Sequence, residues 1–161
     1  MKYKLAEKKF FPELNRELWQ IEAIADFGDV KKGDRGGWIE KEENLSQDGN
    51  AWVFGNAWVC DNAWVSGAAQ VYGNTQVSGY ACVHDAAEIL VLGKLGDNNR
   101  DITCTPDKNR KMQISCGCFL GGIDAFEEAV RKKYGDNPNS DYMLILPLLR
   151  KKELEWRSNE R

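Results

Sequence analysis

His84 is the only histidine of the chain, and a neutral imidazole near pH 7 is well matched to general-base work. It lies at an outward position of a regular repeat, where an ordinary surface or interface histidine is the plainer expectation. Five cysteines, Cys60, Cys82, Cys104, Cys116 and Cys118, raise the question of zinc because thiolates are good ligands. The CxxC pairs of structural zinc sites are absent, and packed thiols behave as small apolar groups, so no metal site is expected. Gly121-Gly122 precedes a helical pattern and could turn backbone N–H groups toward an anion, with Arg100, Arg110 and Lys111 nearby in sequence. A glycine pair before a helix is more often just a turn. Joined to exposed rings, however, such cations are what a nucleotide-like ligand needs, and the candidate rings are Trp52, Trp58, Trp64 and Tyr72.

Those rings are placed by a six-residue unit that recurs from Asn50 to Val91: NAWVFG, NAWVCD, NAWVSG, AAQVYG, NTQVSG, YACVHD, AAEILV. The aliphatic position falls at Val53, Val59, Val65, Val71, Val77, Val83 and Ile89, with a small residue two places earlier. Residues two apart share one face of a strand, so each hexad reads as a short strand with a small and a branched residue inward. Corners follow at Gly55, Asp61, Gly67, Gly73, Gly79 and Asp85, residue types that tolerate a sharp bend. A period of six does not fit an amphipathic helix of 3.6 residues per turn. One hexad cannot bury its inward pair alone, so the units must stack.

This spacing resembles the hexapeptide-repeat superfamily, whose members form a left-handed parallel β-helix with three hexads per triangular coil. The handedness is implied by that resemblance, since the general preference for right-handed crossovers points the other way. On this plan residues eighteen apart stack, in the columns Val53-Val71-Ile89, Val59-Val77 and Val65-Val83. Trp52, Trp58 and Trp64 then point outward from three faces as a girdle of indoles, and Phe54, Tyr72 and Leu90 form a second outward column. Monomers seldom leave such a patch in water, so the girdle predicts the core of a homotrimer, the assembly usual in the resembling family. The resemblance also implies an alternative function, a CoA-dependent acyltransferase using acetyl-CoA or another acyl-CoA. In that reading His84 is the base, at a groove between subunits.

The flanks read as caps. Residues 1–43 contain strand-like pieces at Lys2–Leu5, Leu18–Ile24 and Trp38–Ile39, an N-terminal β cap that shields the first coil's open edge. Ile39 and Leu45 are six apart but Val53 follows Leu45 by eight, so the register is entered through a two-residue slip. Residues 44–91 are the solenoid and 92–161 a small C-terminal α+β domain. In the latter, Asp101–Thr105 and Lys111–Ser115 read as strands and Ile123–Tyr134 as a helix. A second helix is expected from about residue 140 to Trp156, kinked or divided by Pro147. The fold class is mainly β.

Charge narrows the function. The net charge is -3, and no Lys or Arg occurs from Asn44 to Leu90, so the repeat lacks the basic stripe of a nucleic-acid binder. The odd cysteine count and the lack of an apolar leader suggest a reduced, cytoplasmic protein. The longest apolar run, Met143 to Leu149, is far below the roughly 20 residues of a membrane span. The segments KKGDRGGWIEKEENLSQDGNAWV and SCGCFLGGIDAFEEAVRKKYG, with the NAWV hexads between them, are similar to hexapeptide-repeat proteins of tailed bacteriophages and prophages. That similarity implies a phage or prophage source and the cytoplasm of a bacterial host. The expected function is a non-catalytic binding protein, without cofactor, that sequesters a small anionic, nucleotide-like ligand or blocks a host protein, in the manner of counter-defence. A structural assembly component is the third possibility.

Overall fold

The computed structural model describes residues 1–138 and 140–159, the side chain of Ala86 excepted. The chain is mainly β and divides into two compact units, Met1–Glu88 and Ile89–Arg161.

In the first unit β1 (Tyr3–Phe11) and β2 (Arg16–Ala23) form an antiparallel hairpin, and β3 (Arg35–Ile39) pairs antiparallel with β2. Six two-residue strands follow: β4 (Trp52–Val53), β5 (Trp58–Val59), β6 (Trp64–Val65), β7 (Gln70–Val71), β8 (Gln76–Val77) and β9 (Cys82–Val83). They pair in parallel as β4-β7, β5-β8 and β6-β9, with Trp52 opposite Gln70, Trp58 opposite Gln76 and Trp64 opposite Cys82. Each partner is thus eighteen residues further on, and the small and branched residues of the hexads face inward, with Ala51, Val53, Ala57, Val59 and Val65 at most 1% exposed.

The two-residue slip sits at Gln47 and Asp48. Before them Trp38 pairs with Trp58 and Leu45 bridges Val65, both twenty apart; after them Asn50 N donates to Gly67 O at 2.8 Å and the eighteen-residue pairing runs on. The inserted Gln47 receives the start of the chain. Its Oε1 accepts from Lys2 N at 2.9 Å and its Nε2 donates to Tyr3 O at 3.2 Å.

The hairpin changes the fate of the outward indoles. Trp52 is 1% exposed beneath Tyr3 and Phe27, ring centroids 6.1 and 5.3 Å away, both edge-on. Trp58, 7% exposed, packs with Phe11, Leu18 and Trp38. Only Trp64, at 42%, keeps a large open surface. The expected girdle of three exposed indoles is therefore corrected. At roughly 25 cal/mol per Å2, an indole burying about 200 Å2 gains roughly 5 kcal/mol under a cover, and the N-terminal strands supply that cover within the same chain. A homotrimer core built on all three rings loses two of them.

The seventh hexad leaves the ladder. Ala86–Glu88 forms a 3-10 turn in which the buried Glu88 Oε2 accepts from His84 N at 2.7 Å. Leu90 then opens an antiparallel sheet of the second unit, β10 (Leu90–Leu95), β11 (Arg100–Pro106), β12 (Met112–Cys116) and β13 (Phe119–Gly121), so it does not continue the Phe54-Tyr72 column. Among the described residues two helices follow, α1 (Ile123–Tyr134) and α2 (Asp141–Ser158). Phe126 and Val130 of α1 and Leu146, Leu149 and Trp156 of α2 share one core with Ile102, Cys104 and Ile114 of the sheet. Pro147 lies inside α2 without dividing it; it is on the exposed side, where water can bond the carbonyl that proline leaves without a donor. Among the described residues, no helix is long and apolar enough to cross a membrane.

Burial in this core has a consequence for pH. Burial, with the Cys116 thiol adding to it, raises the Cys104 thiol from 9.0 to about 12, and burial first of all pushes the Tyr142 hydroxyl up to about 12. The folded unit thus holds protons that the unfolded chain releases above pH 9. The stabilisation is fully present below pH 9 and falls as pH rises, by up to about 1.4 kcal/mol per pH unit for one such group. Both helices lie in this unit, so its urea midpoint followed by circular dichroism at 222 nm should drop between pH 8.5 and 11. Cys104→Ala should flatten that slope; an unchanged slope would refute the assignment to this thiol.

Candidate functional site

Five of the candidate site residues read from sequence, Trp52, Trp58, Trp64, Tyr72 and His84, lie in the first unit. Trp52 and Trp58 are core. Trp64 and His84 come together on the uncovered β6-β9 face, the indole edge-on to the imidazole at a centroid distance of 5.2 Å. The eighteen-residue pairing sets this up, because it places Ser66 and His84 one above the other. Ser66 Oγ, nearly buried, lies 2.5 Å from His84 Nδ1, a partner that sequence reading missed and that the column rule would have found. Tyr72 is 52% exposed and stacks on Phe54, centroids 4.5 Å apart and planes 12° from parallel; its hydroxyl bonds the Gln70 side chain.

A second cluster in this unit joins Glu40, Cys60 and Asp61, whose ligand-type atoms lie within 4.8 Å of one another. Arg16 of the hairpin pairs with both carboxylates, with Nη1 at 2.6 Å from Asp61 Oδ1 and 3.2 Å from Glu40 Oε2. Burial would raise the Asp61 carboxyl, but the Gly79 N–H and the Arg16 guanidinium outweigh it and hold the group below its usual range. Asp61 sits at φ 59 in a corner, so this cluster reads as a clamp on the ladder.

The cations separate in the second unit. Arg110 donates from Nε to Trp156 O at 3.0 Å, tying the β11-β12 turn to α2. Lys111 is exposed, its N–H on Asp107 Oδ1 at 2.9 Å. Arg100 alone of the three lines a cavity of about 160 Å3. The expectation that Arg100, Arg110 and Lys111 act together is therefore corrected: the β11-β12 turn holds Arg110 and Lys111 at one end of the strands and Arg100 lies at the other.

That cavity is built by α1 and the sheet. Phe126, Ala129, Val130, Lys133 and Tyr134 face it from the helix, spaced three, four, seven and eight residues from the first, the helical repeat of one face. Phe119 closes it from β13 and Tyr142 from α2. Gly117, at φ 61, lets Arg100 lie across the β12-β13 turn, since a Cβ there would fall 1.6 Å from Nη1. Burial raises the Cys116 thiol, with Arg100 pulling the other way, and Cys118 is exposed at the wall. Among the described residues neither Arg100 nor Lys133 has a carboxylate at salt-bridge distance, and the cavity lining contains none. Lys133 lies 5.1 Å over the ring of Tyr134. The helical face could have been read from sequence; its pairing with Arg100 could not.

No protein-family model matches the chain. Over 37 residues, 23% of this chain, it is 54% identical to the uncharacterised acetyltransferase YdcK of Escherichia coli (strain K12). The matched stretch spans 11% of that relative's length.

Proposed function

We propose that the chain is a non-catalytic binding protein that holds a small anionic ligand in the cavity of its second unit. The observation that carries this reading is the pair Arg100 and Lys133 beside an aromatic cavity that has no acidic group in its lining. Two cations at the edge of a low-dielectric pocket attract an anion more strongly than the same charges in open water. Calorimetry of the full chain against a panel of nucleotides, phosphates and carboxylates should find a ligand, and Arg100→Glu should weaken it at least tenfold. A panel without binding, or equal binding by the variant, would defeat the proposal. We read the ladder that precedes this unit as the left-handed parallel β-helix of the hexapeptide-repeat superfamily, on its eighteen-residue pairing and its hexad pattern. An experimental structure with the opposite winding would overturn that hand.

A second reading is favoured by the short match to an acetyltransferase. In it the chain uses acetyl-CoA, with His84 as base and Ser66 holding Nδ1, which leaves Nε2 for the acceptor's proton. It predicts acetyl-CoA turnover that His84→Ala abolishes. A parent protein without turnover ends this reading.

A further inference from the structure

We infer that the ligand of the Arg100 cavity is a monocyclic aromatic acid, one planar ring carrying one carboxylate. This rests on the anion-binding reading and narrows it. Size comes first. The cavity measures about 160 Å3, close to the roughly 150 Å3 in which an apolar protein cavity takes up benzene, whereas larger ligands occupy pockets of about 300–1,000 Å3. The cavity is open on one side, so a nucleotide, with base, sugar and phosphate, would fill it with one part and leave the rest in solvent.

The walls give the shape. Phe119 and Phe126 meet edge-on at 5.3 Å, Phe126 and Tyr142 edge-on at 6.0 Å, and Tyr142 stacks with Tyr134 at 5.5 Å. Edge-on pairs beside a stacked pair present faces and edges together, a surface on which a flat ring packs well. An inorganic anion would leave these apolar walls unused and forfeit its own hydration.

The charges give the head group. Arg100 is planar and forked, matching a carboxylate with two parallel hydrogen bonds, and Lys133 adds a point charge. Both lie on one cavity with no competing carboxylate, and the buried Cys116 thiol is held neutral by its raised pKa, so it does not repel an anion.

Cys118 provides a local readout, because it is an exposed thiol on the same wall; the half-buried Cys82, in the first unit, is the reference. The test titrates the full chain with benzoate, adenosine monophosphate and inorganic phosphate by calorimetry. In parallel, iodoacetamide labelling of Cys118 and Cys82 is followed by peptide mass. Benzoate should bind, and at saturation should slow Cys118 alkylation at least fivefold with Cys82 unchanged. Arg100→Gln should weaken benzoate at least tenfold, and Ala129→Trp, which fills the cavity from an exposed position of α1, should remove both effects. Binding and Cys118 protection by adenosine monophosphate, with neither by benzoate, would overturn the aromatic-acid assignment and leave the anion-binding reading standing. Benzoate binding without Cys118 protection would also overturn the assignment, since the ligand would lie elsewhere. No binding by any of the three probes, together with an empty wider panel, would remove both.

Discussion

Trp52→Ala is expected to lower the stability of the first unit by about 3–5 kcal/mol, the range for emptying a large aromatic site in a packed core. The indole is 1% exposed and carries Tyr3 and Phe27 edge-on against it. Alanine would leave a void that β1 and the Phe27 turn fill only by moving. Much would move with them. The Tyr3 hydroxyl donates to Leu45 O at 2.7 Å, and Lys2 Nζ donates to Ala51 O at 2.7 Å, so the N-terminal strand is fastened at the same place. Trp64→Ala, in the same repeat position two hexads further on, should cost less than about 1 kcal/mol, because that indole is 42% exposed and surface truncations are mild. Urea unfolding of the two variants decides the matter; equal losses would mean that the hairpin does not cover Trp52 as described.

Gly37→Ala should destabilise the same unit by on the order of 3 kcal/mol or more, the upper end for overpacking. A Cβ at Gly37 would stand 2.4 Å from Ala57 O and 2.7 Å from Val53 Cγ1. The first neighbour is backbone and cannot rotate away. Trp38 N donates to that same Ala57 O at 2.9 Å, so relief of the clash pulls β3 from β5 and with it the hairpin from the ladder. Gly122→Ala is the control: its φ is -78 and its added Cβ meets only Met112 O at 3.7 Å, so the change should stay within about 0.5 kcal/mol. Thermal unfolding of both variants gives the comparison, and a Gly37→Ala protein of parental stability would contradict the close approach of β3 and β5.

By local pattern a glycine pair such as Gly36-Gly37 is a turn signal. They are instead strand residues whose lack of a side chain lets one layer lie on another. The same difference in kind separates what was legible from what was not. The inward residues of the hexads, the two-residue slip and the extent of α1 were readable because each depends on local geometry: two-residue alternation in a strand, a fixed number of residues per coil, and 3.6 residues per helical turn. The pairing of Ser66 with His84 was readable in principle, since it follows from the eighteen-residue column.

Other features depend on segments far apart in the chain. Trp52, Trp58 and Trp64 occupy identical places in three NAWV units, so no local pattern can tell them apart. Their exposures differ because a hairpin some forty residues earlier folds over two faces of the ladder and leaves the third. Arg100, Arg110 and Lys111 are close in sequence, yet an antiparallel strand and its turn carry them to opposite ends, and Lys133 joins Arg100 only because α1 packs on the sheet. By itself the sequence determined the repeat, its inward core and the mainly β class. Tertiary structure alone decided which outward residues meet solvent and which cations share a cavity, because burial and charge proximity are set by non-local packing.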